Sequence, residues 1–242
     1  MCFSGWLNVR IPRSGLTVRK HLLDILGAEA LVAGTYIPFG YDDDGDSRTA
    51  DCIDGSGGCL LPRIQELRAD NVTLFPMVTR RELAARLDGA PTFRRVKAAH
   101  QAAGGSNVLN SGVSIYSPVL GDSKLSVLRE LLGYSRCHTM LREREAQRGA
   151  RYERVVWSRI EYDWLANHPP LAVLPPCWVW VPSAANGVSI DDGHAVLSRS
   201  AADTYLRRWE LLFQPDVIDR MGLKLLSRAR RGVCGQSIQS LR

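Results

Sequence analysis

A chain of 242 residues with 45% hydrophobic content is long enough to bury one substantial core, and it fits a single α/β domain better than two small ones. Its 31 basic and 25 acidic residues leave a formal charge of +6 with the signs mixed along the chain, a balance that suits an anionic small ligand. No apolar run of about 18 residues occurs, which excludes a membrane-spanning helix by hydropathy.

The N-terminus lacks the basic flank and apolar stretch of a signal peptide, so the expectation for the chain as given is a soluble, cytoplasmic protein. Its abrupt start at Cys2-Phe3-Ser4-Gly5 leaves room for an upstream targeting segment. The cysteines at 2, 52, 59, 137, 177 and 234 form no C-x-x-C pair, and the expectation is free, mostly buried thiols in a reducing compartment.

In chain order, a short first strand leads into Ser4-Gly5-Trp6-Leu7-Asn8-Val9-Arg10, read as a loop where Gly5 allows close backbone approach and Arg10 can reach phosphate. A plain turn is the equal alternative. Ser14 is a good N-cap, and Val18, Leu22, Ile25 and Leu26 line one face of a helix ending near Gly27. Residues 28–35, with the apolar run Ala30-Leu31-Val32-Ala33, read as a strand buried on both faces. The Asp- and Gly-rich stretch 36–60 reads as a mobile loop, residues 71–78 as a strand and 80–87 as a short helix.

From Ser123 the leucines at 125, 128, 131, 132 and 141 fall at helical spacing and predict the longest helix, running to Arg148. Residues 152–160 carry the strongest β-branched and aromatic signal, and 177–181 read as a short strand closed by Pro182. Asp191-Asp192-Gly193-His194 leads into Ala195-Val196-Leu197, followed by an amphipathic helix over 200–213. Residues 1–215 are thus read as one domain, and 216–242 as a further helix and basic tail. Strands alternating with helices predict a largely parallel sheet flanked by helices, with ligand bound at the carboxyl ends of its strands.

Glu161 and Asp163 follow the strand at i and i+2, and continued extension would throw both to one side, where a divalent metal bridging a diphosphate can use them. Arg159 can pair with another phosphate oxygen. Surface ion pairing at a strand end explains the same spacing. Asp192 can act as a general base or help hold a metal, and His194 as a metal ligand or phosphate partner. An ordinary Asp-Asp-Gly turn beside a half-exposed His is the bland alternative.

Ser4-Gly5-x-x-Asn8, Ala33-Gly34-Thr35, the run Tyr152 to Arg159-Ile160-Glu161-x-x-Trp164, His168-Pro169, Trp180-Val181-Pro182 and Asp192-x-His194-Ala195-Val196-Leu197-x-Arg199 together resemble a group of GT-A-type glycosyltransferases. The resemblance implies a GT-A-like, Rossmann-type mixed sheet and a metal-dependent transfer of sugar from a nucleoside-diphosphate sugar to a glycan or other hydroxyl acceptor. It assigns Mn²⁺ or Mg²⁺ to Glu161 and Asp163, with His194 as a further metal ligand. It assigns the donor to Gly5, Asn8, Arg10, Arg159, Glu161 and His194, and a catalytic role to Asp192. Glu161 stands where Asp is commoner, and Gly193 where Arg is commoner. The alternative function is a catalytically degenerate protein of the same fold that binds nucleotide, glycan or a protein partner. The basic residues form no motif with aromatics, which argues against nucleic acid.

Overall fold

The structure is a computed structural model that describes residues 1–7, 14–39, 41, 60–91, 94, 126–183 and 193–214. Among these, β1 (Cys2–Trp6) is the central strand of a five-stranded sheet. It lies between β2 (Leu31–Tyr36) and β4 (Arg154–Arg159), with β3 (Asn71–Pro76) outside β2 and β5 (His194–Ser198) outside β4. The order is β3-β2-β1-β4-β5; the first four strands run parallel and β5 antiparallel to β4. This is the α/β sheet expected from the alternation of strands and helices, with mixed character confined to one edge.

The strands are apolar on both faces because helices cover both. Phe3 and Val32 meet Val18 and Leu22 of the first helical stretch and Ile64 and Leu67 of α3 (Leu60–Leu67). That stretch comprises α1 (Ser14–Val18), a π-helical turn at Arg19–Leu23 and α2 (Asp24–Leu26), and closes on Gly27 at φ 55°, a left-handed position that glycine adopts without Cβ strain. On the opposite face, Cys2, Leu31, Ala33, Trp157 and Leu197 pack against α4 (Arg80–Asp88), α5 (Ser126–Arg148) and α6 (Arg199–Tyr205). Trp209, in the short α7 (Arg208–Leu211), completes this layer. Thr79 and Glu82 form a reciprocal capping box that fixes the start of α4. Trp157 is wholly buried between sheet and α5, and truncating such a side chain costs about 3–5 kcal/mol.

An ion network joins two helices of this layer and the segment leading into β4. Arg199 donates to both oxygens of Glu145 at 2.6 and 2.8 Å and to Asp203 at 2.6 Å, while Glu145 also accepts from the Tyr152 amide at 2.9 Å. The clamp holds the end of α5 against the start of α6.

Several local expectations change. Ser4, Gly5 and Trp6 belong to β1 rather than to a loop, because they pair with β2 along its whole length. The expected strand over 177–181 reduces to a single bridge between Trp180 and Val196. The expected free thiols fail at Cys2 and Cys137, which form a disulfide closing 135 residues of sequence, and Cys177 is also disulfide-bonded. Cys2 faces α5 from the middle of the sheet, a proximity created by the fold and not by sequence spacing. Among the described residues, no helix is long and apolar enough to cross a membrane. Asn8, Arg10, Asp191, Asp192, the acidic and Gly-rich stretch 42–59 and the tail from 215 onward lie outside the described residues.

Candidate functional site

The chain moves from β1 to β2 to β3 on one side and returns to β4 on the other, so the connections diverge between β1 and β4. Divergence of this kind opens a crevice at the carboxyl ends of parallel strands. A cleft of about 320 Å³ lies at these strand ends. The sheet contributes Ser4, Gly5, Trp6, Thr35, Trp157 and Arg159, α5 contributes Arg129, Glu130 and Gly133, and Met77 and Glu161 complete the lining.

β4 ends at Arg159, and a turn at Ile160 and Glu161 directs the Glu161 carboxylate back over β1. The Trp6 amide donates to Glu161 Oε1 at 2.8 Å. A Cβ at position 5 would stand 2.4 Å from Glu161 Oε2, and Gly5 has φ +151°. Glycine is therefore favoured there: a Cβ would displace the carboxylate, and residues with a Cβ rarely adopt this backbone conformation. Glu161 is exposed at the cleft mouth, yet the protein packed around its carboxylate partly desolvates it and pushes its pKa above the ordinary glutamate value. The Trp6 amide and Arg159 oppose that shift, and Glu130 adds to it.

Arg159 forms an ion pair with Glu130, which also accepts from the Tyr134 hydroxyl at 2.6 Å. Burial works against the Arg159 charge, but Glu130 outweighs it and the guanidinium pKa is raised. Tyr134 is pushed upward by burial and stays a neutral donor. Its ring meets Trp157 edge-on at 4.2 Å, and the Trp157 indole donates to Ser4 Oγ at 3.0 Å. A Cβ at Gly133 would stand 3.1 Å from Ser4 Oγ, so glycine lets α5 approach the strand closely.

The far wall is cationic. Arg129 donates to the Val78 carbonyl at 3.1 Å and the Tyr41 hydroxyl at 3.2 Å. About two turns further along α5, beyond the residues that line the cleft, Arg136 donates to Thr35 Oγ1 at 3.0 Å and lies over the Phe75 ring at 4.3 Å. Burial, with a contribution from Arg86, lowers the Arg136 pKa to about 10, which leaves it charged at neutral pH.

Of the residues singled out in the sequence, Gly5, Arg159 and Glu161 come together in this cleft. Asp163 is exposed and does not line it, because the turn at Ile160 and Glu161 ends the extension that would have aligned the two acids. His194 pairs with Ser158, and strand alternation puts both on the face opposite Trp157 and Arg159. There His194 packs on His168 and Trp164. Among the described residues, no group of three His, Cys, Asp or Glu side chains is arranged for a metal. Asp192, Asn8 and Arg10 lie outside the described residues.

Sequence reasoning missed Glu130, Tyr134, Arg129 and Trp6. The available signal was Glu130 and Tyr134 at i, i+4 around Gly133, a small residue that interrupts an otherwise leucine-rich helix face.

Comparisons of the chain with protein-family models, with characterised proteins and with solved structures return no match.

Proposed function

We propose that the cleft binds a nucleoside-diphosphate sugar and that the protein is a metal-dependent glycosyltransferase of the GT-A type, transferring the sugar to a hydroxyl acceptor. The observation that carries this reading is the Glu161 carboxylate folded over Gly5 next to Arg159, at the strand ends where the chain connections diverge. A diphosphate needs charge neutralisation and a close backbone approach, and these residues supply both.

Glu161 fits a hard divalent ion in the arrangement where one or two carboxylates act together with substrate phosphate oxygens. Trp6 occupies one of its oxygens, while Glu130 is committed to Arg159 and Tyr134. Bound Mn²⁺ or Mg²⁺ supplies charge neutralisation for the departing nucleoside diphosphate. Arg159 is the protein cation for the diphosphate. Trp6, with Met77 beside it, offers a flat apolar surface for the base. The raised Glu161 pKa means that acid pH empties this carboxylate of charge sooner than an ordinary glutamate. Asp192, two residues before His194 in sequence, is the proposed base for an inverting reaction.

The test is thermal stabilisation by UDP-, GDP-, ADP- and CMP-sugars with and without Mn²⁺, measured on wild type, Glu161→Ala and Asp163→Ala. Stabilisation by one nucleotide class that needs Mn²⁺, is lost in Glu161→Ala and survives in Asp163→Ala is the expected result. A folded wild type that responds to no donor would overturn the reading. Binding that ignores Mn²⁺ and proceeds without turnover selects a nucleotide-binding protein of the same fold instead.

A further inference from the structure

Behind the cleft, on the other face of the sheet, two imidazoles that are 26 residues apart in sequence meet ring to ring. His168 Nε2 and His194 Nε2 are 3.3 Å apart, and the two residues are 3% and 4% exposed. His168 Nδ1 lies 2.6 Å from the Pro169 carbonyl, and the His168 amide donates to the His21 carbonyl at 2.8 Å. The Trp164 ring packs against both imidazoles, with centroid separations of 5.9 Å to His168 and 5.0 Å to His194. Its Nε1–H is buried and has no hydrogen-bond partner among the described residues.

We propose that His168 and His194 form a metal site separate from the cleft, taking a zinc-class ion through both Nε2 atoms. Three features of the geometry support this. Two nitrogens bound at about 2.0–2.1 Å to a tetrahedral ion are about 3.3 Å apart, so neither ring has to move far. The contact with Pro169 puts the His168 proton on Nδ1 and leaves Nε2 as a lone-pair donor, the pattern by which backbone carbonyls orient metal-bound histidines. Without metal, a hydrogen bond from His194 Nε2–H joins the rings. With metal, the neutral His194 ring carries its one proton on Nδ1, and the ion replaces that hydrogen bond.

The buried indole N–H is the third feature. Among the described residues no third His, Cys, Asp or Glu joins the pair. Water or hydroxide in the remaining positions would find a donor in the buried Trp164 Nε1–H. Imidazole ligands select zinc, cobalt or nickel over the hard ions expected to bridge phosphates. Since His168 follows the Glu161 turn and His194 opens β5, the ion fastens the segment bearing Glu161 to the edge strand.

The full chain, stripped of metal by a chelator, is titrated with Co²⁺ while visible absorbance is recorded. The expected result is a set of intense tetrahedral bands saturating near one equivalent and bleached by Zn²⁺. The bands should be lost in His168→Gln and in His194→Gln and retained in Glu161→Ala and His21→Ala. X-ray absorption of the zinc-loaded wild type should show two imidazole nitrogens at about 2.0 Å, a readout that holds even if the histidine variants do not fold. Absence of bands from folded wild type, bands that persist in folded His168→Gln, or an absorption spectrum without imidazole scattering would each overturn the site. None of these outcomes alters the Glu161-dependent response to nucleotide sugars, so the two readings fail separately.

Discussion

Replacing Gly5 with alanine strikes the contact on which the cleft depends. The new methyl would stand 2.4 Å from Glu161 Oε2 and 2.7 Å from Cδ. Because the carboxylate is the far end of a flexible side chain, the clash is relieved by swinging Glu161 away. What is then lost is the 2.8 Å hydrogen bond from the Trp6 amide, a net contribution of about 1 kcal/mol. The larger cost is backbone strain, since φ +151° is rarely adopted by residues with a Cβ and holding one there costs about 1–3 kcal/mol. The sum is a destabilisation of about 2–4 kcal/mol, or a fall in Tm of roughly 5–15 °C for a domain of this size. The assay is urea unfolding of wild type, Gly5→Ala, Glu161→Ala and the double variant. In the Glu161→Ala background only the backbone strain remains, so the cycle should show a coupling of about 1 kcal/mol. Equal losses in both backgrounds would refute the contact, and a loss below about 0.5 kcal/mol would refute the strain argument as well.

Glu161→Gln should stabilise the ligand-free protein at neutral pH while removing its Mn²⁺ response. An acid whose folded pKa is raised contributes stability below its unfolded pKa that is lost as pH rises through the folded value, and the amide escapes that loss. Thermal melts over a pH series check it, and a neutral-pH Tm below wild type would contradict it. Asp203 has the opposite sign: burial disfavours its charge, but Arg199 and His138 prevail and hold its pKa at about 2. Its contribution is present above the ordinary aspartate range and lost as pH falls from about 4 to about 2. Since its side chain is 40% exposed, screening reduces the effect to about 1 kcal/mol, measurable as a steeper acid limb in wild type than in Asp203→Asn. Arg199→Met should cost about 3–5 kcal/mol in urea unfolding, because Glu145 is left buried without its partner. Joining Cys2 to Cys137 constrains a long loop in the unfolded chain, so Cys2→Ala/Cys137→Ala should lose about 2–4 kcal/mol, and a thiol reductant, which also opens the disulfide at Cys177, should lower the wild-type Tm at least as far.

Much of the sheet was legible because each strand carries a short apolar run and, apart from 152–160, each run is followed by a helical period. The apolar run 30–33 and the aromatic, β-branched segment 152–160 both mark strands, each longer in the reading than in the structure. Strand identity reads from local side chains, whereas strand ends depend on what the backbone meets. At Ile160 the amide still bonds to the Ser4 carbonyl at 3.1 Å, but the chain turns immediately afterwards and Asp163 leaves the cleft. The same limit applies to His194: its placement follows from pairing with Ser158, and a register shift of one residue would have turned it toward Arg159. Glu130 and the Cys2–Cys137 disulfide were illegible for a different reason. Each depends on α5 packing across β1, a contact between segments more than a hundred residues apart.

The ion pair between Arg159 and Glu130 sets a cost on ligand entry that can be measured. Among the described residues, Arg159 is the cation beside Glu161, and it is already engaged by Glu130, with a 37% exposed guanidinium and a 17% exposed carboxylate. An incoming diphosphate must draw Arg159 from that carboxylate or share it. Glu130→Gln keeps an oxygen for the Tyr134 hydroxyl but removes the competing charge. For a partly exposed pair the competition is worth about 1 kcal/mol, so nucleoside diphosphate should bind about fivefold more tightly to the variant by titration calorimetry. The gain should appear without Mn²⁺, since it arises from the arginine, and should persist when Mn²⁺ is added. If Glu130 instead serves as a metal ligand, the variant loses affinity only in the presence of Mn²⁺. Weaker binding under both conditions would mean that Glu130 positions Arg159 for the phosphate rather than withholding it, and the competition argument would fall.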